Sequence, residues 1–349
     1  MSDAQERLAS IDFLRLNHWL RVQGLADGEV EAPTLLAGGT QNLIVRFRCG
    51  GRAFVLRKAA GTAYANGSET MRREARILAA LAGTDVPHAC LIAACEDDTV
   101  LGGAFYLMEP VEGFNVGMGM PEPHASQPAM RRAMGFALID GLAALRRVDP
   151  LSSGLADLGH LDGFLERQVS RWRSQLESYS RYTGWPGPGG LPQVEAVGRW
   201  LEQHMPKGFT PGILHGDYHI KNVLFRPDGP ALAAIVDWEL STVGDPMIDL
   251  GWLMATWRGQ GADDPGSPIE IEPWSGFPTA AELVDCYAER TGADVSQARW
   301  YGVLACYKLG LLLEGTFARS CAGQADQALG QRFHHNAVNL LQRAARWAE

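Results

Sequence analysis

Residues 214–225 of this chain read LHGDYHIKNVLF, and residues 235–239 read IVDWE. The apolar runs predict short strands, and the polar residues between them place Asp217, Asn222 and Asp237 on neighbouring loop ends. Asp217 precedes Asn222 by five residues, which is the spacing of a kinase catalytic loop. A carboxylate can orient a hydroxyl and accept its proton, while oxygen ligands hold Mg²⁺ against nucleotide phosphates. The pattern therefore predicts phosphoryl transfer, with Asp237 as the natural main metal ligand.

Composition favours a globular protein that acts on small molecules. The chain has 349 residues, is 46% hydrophobic and carries a formal charge of −9, with a pI near 5.5. An acidic balance argues against a nucleic-acid or anionic-membrane partner, which would require a basic surface. The N-terminus lacks the apolar core of a signal peptide, and no apolar run approaches membrane-spanning length, so we expect cytoplasmic residence.

The order of predicted elements outlines two lobes. Helical spacing within residues 1–30 is followed by strand-rich sequence and by a helix over residues 68–81. Helical periodicity then dominates, including residues 129–148, 162–182 and 193–205. We predict an α+β, protein-kinase-like fold. It would consist of a small β-rich N-terminal lobe (1–108), a hinge (109–113) and a larger, mainly helical C-terminal lobe (114–349).

The predicted strand over residues 53–58 carries two neighbouring cations, Arg57 and Lys58. Alternation directs Arg57 to one face of this strand and Lys58 to the other. Glu74 lies on the apolar stripe of the predicted helix 68–81, and a carboxylate in such a position requires a cationic partner. This coincidence favours Arg57 as the partner of Glu74, with Lys58 as the alternative cation.

Several segments together resemble the phosphotransferase family named for aminoglycoside kinases, which also includes choline and homoserine kinases. The core segments are His215-Gly216-Asp217 with Asn222, Asp237-Trp238-Glu239, and Gly244-Asp245-Pro246 with Asp249. The chain further resembles the kinase-like domain fused in some proteins to acyl-CoA dehydrogenases. The segments that carry this likeness are Val55-Leu56-Arg57, Arg73-Glu74-Ala75, Cys95-Glu96-Asp97, Phe105-Tyr106-Leu107-Met108-Glu109, Trp300-Tyr301, Lys308 and Glu314-Gly315.

The resemblance implies a protein-kinase-like fold, ATP and Mg²⁺ as cofactors, and a role for each matching residue. Asp217 would be the catalytic base, Asn222 and Asp237 would hold Mg²⁺, and Asp249 would brace the catalytic loop. The remaining expected nucleotide contacts are Gly39, Thr40 and Asn42 in a phosphate-facing turn, Arg57 with Glu74, and the backbone of Glu109 and Val111 at adenine. GTP is an alternative donor.

Two readings of the catalytic stretch remain open at this stage. His215 and His219 share the i, i+4 spacing of a zinc site, although Gly216 and Asp217 between them disfavour the helix that such a site needs. Glu239 fits either a second metal contact or a solvated carboxylate.

The acceptor is less well specified than the chemistry. Residues 263–294 contain eight acidic residues and one arginine, whereas residues 299–349 contain six basic and three acidic residues. A pocket for a polycation is therefore not indicated. We expect a small-molecule kinase with a hydroxyacyl-type acceptor. The alternatives are an aminoglycoside, a choline-type substrate bound by an aromatic cage drawn from Trp252, Trp257, Trp274 and Trp300, or an inactive nucleotide-binding regulator.

Overall fold

The computed structural model describes residues 3–36, 42–60, 66–259 and 267–349. The N-terminal part of the chain forms an antiparallel sheet with strand order β1-β2-β3-β5-β4. Its strands are β1 (Glu31–Leu35), β2 (Asn42–Cys49), β3 (Arg52–Ala59), β4 (Leu91–Cys95) and β5 (Phe105–Met108). Alternation along β3 sends Phe54 and Leu56 to one face of the sheet and Arg57 to the other.

Helices cover both faces of this sheet. They are α1 (Asp3–Ala9), α2 (Phe13–Val22), α3 (Gly67–Leu81) and α4 (Asp98–Leu101). Leu16 and Leu20 of α2 are buried in one apolar cluster with Phe54 and Leu56. Helix α3 packs against β3, β4 and β5 on the opposite face, toward the rest of the chain. The sheet therefore presents Arg57 to α3, not to solvent.

The remainder of the described chain is mainly helical. Its helices are α5 (Pro128–Arg146), α6 (Glu166–Glu177), α7 (Val194–Gln203), α8 (Met247–Thr256), α9 (Ala280–Thr291), α10 (Ala298–Cys321) and α11 (Gln327–Ala348). Helix α10 lies at the centre and packs against α6, α7, α8 and α11. Within α8, Gly251 permits this close packing, because a Cβ there would lie 2.4 Å from the carbonyl oxygen of Tyr301.

Two small antiparallel sheets of two strands each interrupt the helices and face the five-stranded sheet. Their strands are β6 (Gly212–Leu214) paired with β9 (Thr242–Gly244), and β7 (Val223–Phe225) paired with β8 (Leu232–Ile235). Val223 pairs with Ile235, and the N–H of Val236 donates to the carbonyl oxygen of Asn222 at 2.9 Å. Asn222 and Asp237 are consequently held on adjacent ends of one ladder.

The predicted fold class is confirmed: a small antiparallel sheet precedes a mainly helical part, in the protein-kinase-like arrangement. Helix α6 is shorter than the predicted 162–182. Gly163 has a left-handed φ of +59°, so the helix begins only at Glu166, and residues 178–181 form a 3₁₀ turn. Among the described residues, no helix is long and apolar enough to cross a membrane. The lobe and hinge boundaries stay a prediction.

Candidate active site

Asp249 fixes the backbone of the loop that carries Asp217. Its buried carboxylate accepts the N–H groups of His215 at 2.6 Å and of Gly216 at 2.9 Å. Burial raises the pKa of Asp249 to about 6, while these two backbone donors oppose the shift. Gly216 has a φ of +86°, and a Cβ there would lie 2.4 Å from the carbonyl oxygen of Leu240. Only glycine therefore fits this turn without displacing the neighbouring loop.

The carboxylate of Asp217 is held on both oxygens. Oδ1 accepts the indole N–H of Trp252 at 2.7 Å and lies 3.5 Å from Nε2 of His219, while Oδ2 accepts Nδ2 of Asn222 at 2.9 Å. Burial would raise the pKa of Asp217, but the hydrogen bonds from His219 and Trp252, with His215 nearby, lower it overall. Asp217 is thus ionised and oriented, as a proton acceptor must be.

Asn222 orients its side chain through the same contact. Its amide NH₂ donates to the backbone oxygen of Asp217 at 3.0 Å and to Oδ2 at 2.9 Å. Because the donors point toward Asp217, the amide oxygen Oδ1 is directed away from it and can serve as a metal ligand. Asp237, one ladder position away, adopts a left-handed conformation with a φ of +68°, which is uncommon for a residue with a side chain and is often found at functional sites.

Arg57 connects the sheet, α3 and the end of β8. Arg57 and Glu74 are only 5% and 1% exposed. The guanidinium lies 2.9 Å from Oε2 of Glu74, 2.7 Å from Oδ1 of Asp237 and 3.9 Å from Oε2 of Glu239. Burial alone would lower the pKa of Arg57, but Glu74 and Asp237 outweigh it and raise the value. Burial raises the pKa of Glu74. The ion pair with Arg57 and a 2.8 Å hydrogen bond from Tyr106 lower it, but they do not outweigh the effect of burial.

The structure distinguishes Lys58 from Arg57. Lys58 lies on the other face of β3, where its Nζ donates to the carbonyl oxygen of Ala59 at 3.3 Å. Within the described residues it has no ion pair, and burial lowers its pKa. The cation that reaches Asp237 is therefore Arg57.

Asn42 and Glu239 meet across the cleft. Nδ2 of Asn42 donates to Oε2 of Glu239 at 3.2 Å. Burial and the neighbouring Asp237 raise the pKa of Glu239. Glu239 is consequently a half-buried group of the site and not a fully solvated carboxylate. The predicted contacts Gly39 and Thr40 lie outside the described residues.

The predicted hinge is tied at both ends. The N–H of Glu109 donates to the carbonyl oxygen of Cys90 at 2.9 Å, and Phe114 exchanges backbone hydrogen bonds with Phe225. Among the described residues, no hydrogen bond engages the N–H of Val111 or the carbonyl oxygen of Glu109. These two groups have the donor and acceptor character that an adenine edge requires.

The imidazoles of His215 and His219 do not share a site. Nε2 of His215 faces the carbonyl oxygen of Val236 at 2.9 Å, while Nε2 of His219 faces Asp217. Burial lowers the pKa of His215, which keeps it neutral. In the part of the chain that is described, no group of three or more His, Cys, Asp or Glu side chains could hold a metal. The arrangement does not support a zinc site.

Sequence reasoning missed the role of Trp252. It appeared only as a candidate for an aromatic cage, yet its N–H holds Asp217 from α8. Trp257 and Trp300 are fully buried and donate to the carbonyl oxygens of Pro278 and Leu201. These last two rings belong to the core, so the four tryptophans do not assemble into a cage.

Residues 33–271 match the model of a family described as the phosphotransferase enzyme family. The chain belongs to this family. A Ralstonia eutropha member of known structure, provisionally named an aminoglycoside phosphotransferase, has a TM-score of 0.75 and 29% identity, covering 96% of this chain and 99% of its own. A thermostable mutant of aminoglycoside phosphotransferase APH(4)-Ia, solved with AMP-PNP and hygromycin B, has a TM-score of 0.56 at 14% identity, covering 93% and 98% of the two chains.

Relatives of this phosphotransferase also include longer proteins. Rat acyl-CoA dehydrogenase family member 11 is 29% identical over 88% of this chain and 39% of its own length. Mouse acyl-CoA dehydrogenase family member 10 is 28% identical over 84% of this chain and 27% of its own length. The chain therefore spans roughly a quarter to two fifths of these relatives.

The Arg57 contacts predict a measurable stability difference. Arg57→Ala leaves Glu74 buried without its cation, so we expect the free energy of unfolding to fall by about 3–5 kcal/mol. Arg46→Ala is the matched control, because Arg46 pairs with Glu112 at 3.4 Å on the surface. That change should cost less than about 1 kcal/mol. Urea denaturation of both variants measures the difference, and equal losses would contradict the proposed burial cost.

Proposed function

We propose that this phosphotransferase is an ATP- and Mg²⁺-dependent kinase that transfers the γ-phosphate to a hydroxyl of a small molecule. The observation that carries this proposal is the placement of two pairs at adjacent strand ends: Asn222 holds Asp217, and Arg57 holds Asp237. The Asp217 carboxylate is oriented by hydrogen bonds for proton transfer, while the Asp237 carboxylate meets the buried guanidinium of Arg57. Phosphoryl transfer needs this division between a base and an electrostatic anchor.

The donor set fits Mg²⁺, which binds hard oxygen ligands. Asn222 would contribute Oδ1, because its NH₂ is used on Asp217, and Asp237 would contribute its carboxylate. When bound, Mg²⁺ would neutralise phosphate charge and orient the transferred group. Arg57 would hold phosphate oxygens, and its buried ion pair with Glu74 sets the direction of the guanidinium.

Residues of the chain itself orient and deprotonate the acceptor hydroxyl. Asp217 orients the acceptor hydroxyl and takes its proton as the hydroxyl oxygen bonds to the γ-phosphorus. The bond from that phosphorus to the bridging oxygen breaks at the same time, and the nucleoside diphosphate leaves. Trp252 keeps Asp217 in position during this step through its 2.7 Å hydrogen bond.

The likeness to structures determined with nucleotides supports ATP as the donor. The APH(4)-Ia neighbour was solved with AMP-PNP, an ATP analogue. The backbone of Glu109 and Val111 supplies the acceptor and donor that adenine would use. GTP is the alternative donor, and comparing the two nucleotides in one turnover assay decides between them.

A hydroxyacyl-type acceptor is favoured over an aminoglycoside. The relatives are named acyl-CoA dehydrogenase family members, which links this domain to acyl chemistry. A polycation would need free carboxylates, yet Glu282 pairs with Arg132 at 2.5 Å and Glu272 with Arg258 at 3.8 Å. A choline-type acceptor lacks its cage, because Trp257 and Trp300 lie in the core.

An inactive nucleotide-binding regulator is the alternative of another class. It would have no use for an ionised base held by three separate side chains. The hydrogen bonds to Asp217 from Trp252 and Asn222, with His219 beside it, therefore favour an enzyme.

Replacing the proposed base provides the direct test of turnover. Asp217→Asn keeps the size of the side chain and an acceptor for Trp252 but removes the charge that accepts the proton. We expect the turnover rate to fall by about 10²- to 10⁴-fold while nucleotide affinity stays nearly unchanged. A coupled ADP-release assay with hydroxyacyl thioesters, aminoglycosides and amino alcohols measures both the loss and the acceptor.

Asp228→Asn is the matched control, because Asp228 is exposed and its ion-pair partner in the described part of the chain is the exposed Arg226. This control should retain wild-type turnover. An Asp217→Asn variant with undiminished turnover would refute the assignment of the base.

The pH profile should respond to His219. His219 lowers the pKa of Asp217, so His219→Ala should raise that pKa and move the acid limb of kcat/KM to higher pH. Activity is lost as the base is protonated, so the variant should be impaired mainly at acidic pH and recover as the pH rises. His204→Ala is the control, because His204 is exposed and stacks on Trp200. An unshifted acid limb in His219→Ala would argue against this coupling.

A further inference from the structure

Lys308 of α10 is a charged residue near Asp217 that the phosphoryl-transfer scheme does not use. Its Nζ lies 4.5 Å from the ring centre of Trp252 and 5.4 Å from that of Trp172. Trp252 is the side chain that donates its N–H to Asp217. The ammonium group is therefore separated from the proposed base by one indole ring.

No carboxylate neutralises Lys308 among the described residues. It has no ion pair or hydrogen bond there, although Asp217 and Asp249 act on it electrostatically. Burial lowers its pKa, with a contribution from Arg171, while the two carboxylates oppose the shift. A half-buried ammonium without an acceptor among the described residues keeps hydrogen-bond donors that an oxygen of a bound molecule can accept.

The position of Lys308 relative to Asp217 indicates which substrate it faces. In-line transfer places the attacking and leaving oxygens on opposite sides of the phosphorus. Oδ2 of Asp217 faces Asn222 on the side of the nucleotide anchors, whereas Oδ1 faces Trp252. The side of Asp217 that carries Trp252 and Lys308 is thus the side from which the acceptor approaches.

We propose that Lys308 is a specificity-determining residue that binds an electronegative oxygen of the acceptor, a carboxylate or a carbonyl close to the hydroxyl that is phosphorylated. The inference rests on the proposed function and specifies the acceptor class of that same site. The ammonium supplies hydrogen-bond donors to the oxygen and repels polycationic acceptors. Trp252 and Trp172 restrict its movement, so that the charge and the proposed base keep a fixed separation.

The surroundings of Lys308 also suit an acceptor with an apolar portion. Leu312 lies one turn further along α10 and is 37% exposed, and Leu309 and Leu313 are partly buried. Residues four apart lie on the same face of a helix, so Lys308 and Leu312 are neighbours. An oxygen-bearing head group at Lys308 could therefore continue into a chain that contacts Leu312.

Acceptor kinetics of Lys308→Met test this proposal, because methionine keeps much of the side-chain length without the charge. We expect kcat/KM for hydroxybutyryl-CoA or free hydroxybutyrate, each offered as its positional isomers, to fall by about 10- to 100-fold, the loss of one charged hydrogen bond. The KM for ATP and the acceptor-independent ATPase rate should not change. Kanamycin and ethanolamine should become relatively better acceptors, and Lys308→Arg should retain the wild-type preference.

The two oxygen-bearing probes distinguish the sources of the oxygen. A loss confined to free hydroxybutyrate identifies a carboxylate, and a loss confined to the thioester identifies a carbonyl. Lys207→Met is the matched control, because Lys207 is exposed and removing it changes the net charge equally. An equal loss for every acceptor would reduce Lys308 to a structural cation–π contact and overturn the proposal, as would unchanged kinetics.

Calorimetric binding of the same probes separates this proposal from the proposed function. Absence of phosphoryl transfer by the wild type with every acceptor would overturn the kinase assignment. Binding of an oxygen-bearing probe that is lost in Lys308→Met but kept in Lys308→Arg would still uphold the role of Lys308. Absence of binding by both probes to the wild type, or equal binding to Lys308→Met, would overturn it.

Discussion

Arg57 lies where the N-terminal sheet, helix α3 and the β7–β8 hairpin of the helical part meet, and carboxylates from both parts balance its buried charge. Glu74 approaches from α3 and Asp237 from the end of β8. A guanidinium removed from water is tolerated only when partners and hydrogen bonds replace its solvation. Arg57 and Glu74 pair within the N-terminal part, and the contact with Asp237 extends this ion pair to the helical part of the chain.

The same contact defines the electrostatics of the cleft. Glu74, Asp237 and Glu239 all lie within 3.9 Å of Arg57, so carboxylates outnumber the cation at this point. The raised pKa of Glu239 reflects that excess together with burial. A divalent cation bound with a nucleotide would reduce the excess negative charge around Asp237. Asp217, which is held by Trp252 and Asn222, would remain an ionised base. Asp217 and Asp237 have different roles because they lie on different elements: Asp217 follows β6, whereas Asp237 follows β8 and reaches Arg57.

The sequence predicts those contacts of the site that follow from the periodicity of a single strand or helix. Strand alternation and the helix face predicted that Arg57 and Glu74 would meet, and strand pairing predicted the juxtaposition of Asn222 and Asp237. The roles of Trp252 and Lys308 could not be predicted in this way. Trp252 reaches Asp217 across 35 residues, and Lys308 reaches Trp252 only because α10 packs against α8. No local period fixes the rotation of one helix against another. The helical periodicity covers residues 162–182, which overestimates the length of α6. The helix begins only after the left-handed Gly163 and ends where residues 178–181 form a 3₁₀ turn.

Calorimetric titration of AMP-PNP, with and without Mg²⁺, tests the central claim most directly, that Asp237 and Asn222 hold a metal against phosphates anchored by Arg57. The wild type should bind the nucleotide tightly only when Mg²⁺ is present. Asp237→Asn should lose most of that Mg²⁺ dependence, because a neutral amide oxygen binds a divalent cation more weakly than a charged carboxylate does. Nucleotide binding that is equally strong without Mg²⁺, or a Mg²⁺ dependence that survives Asp237→Asn unchanged, would contradict the account.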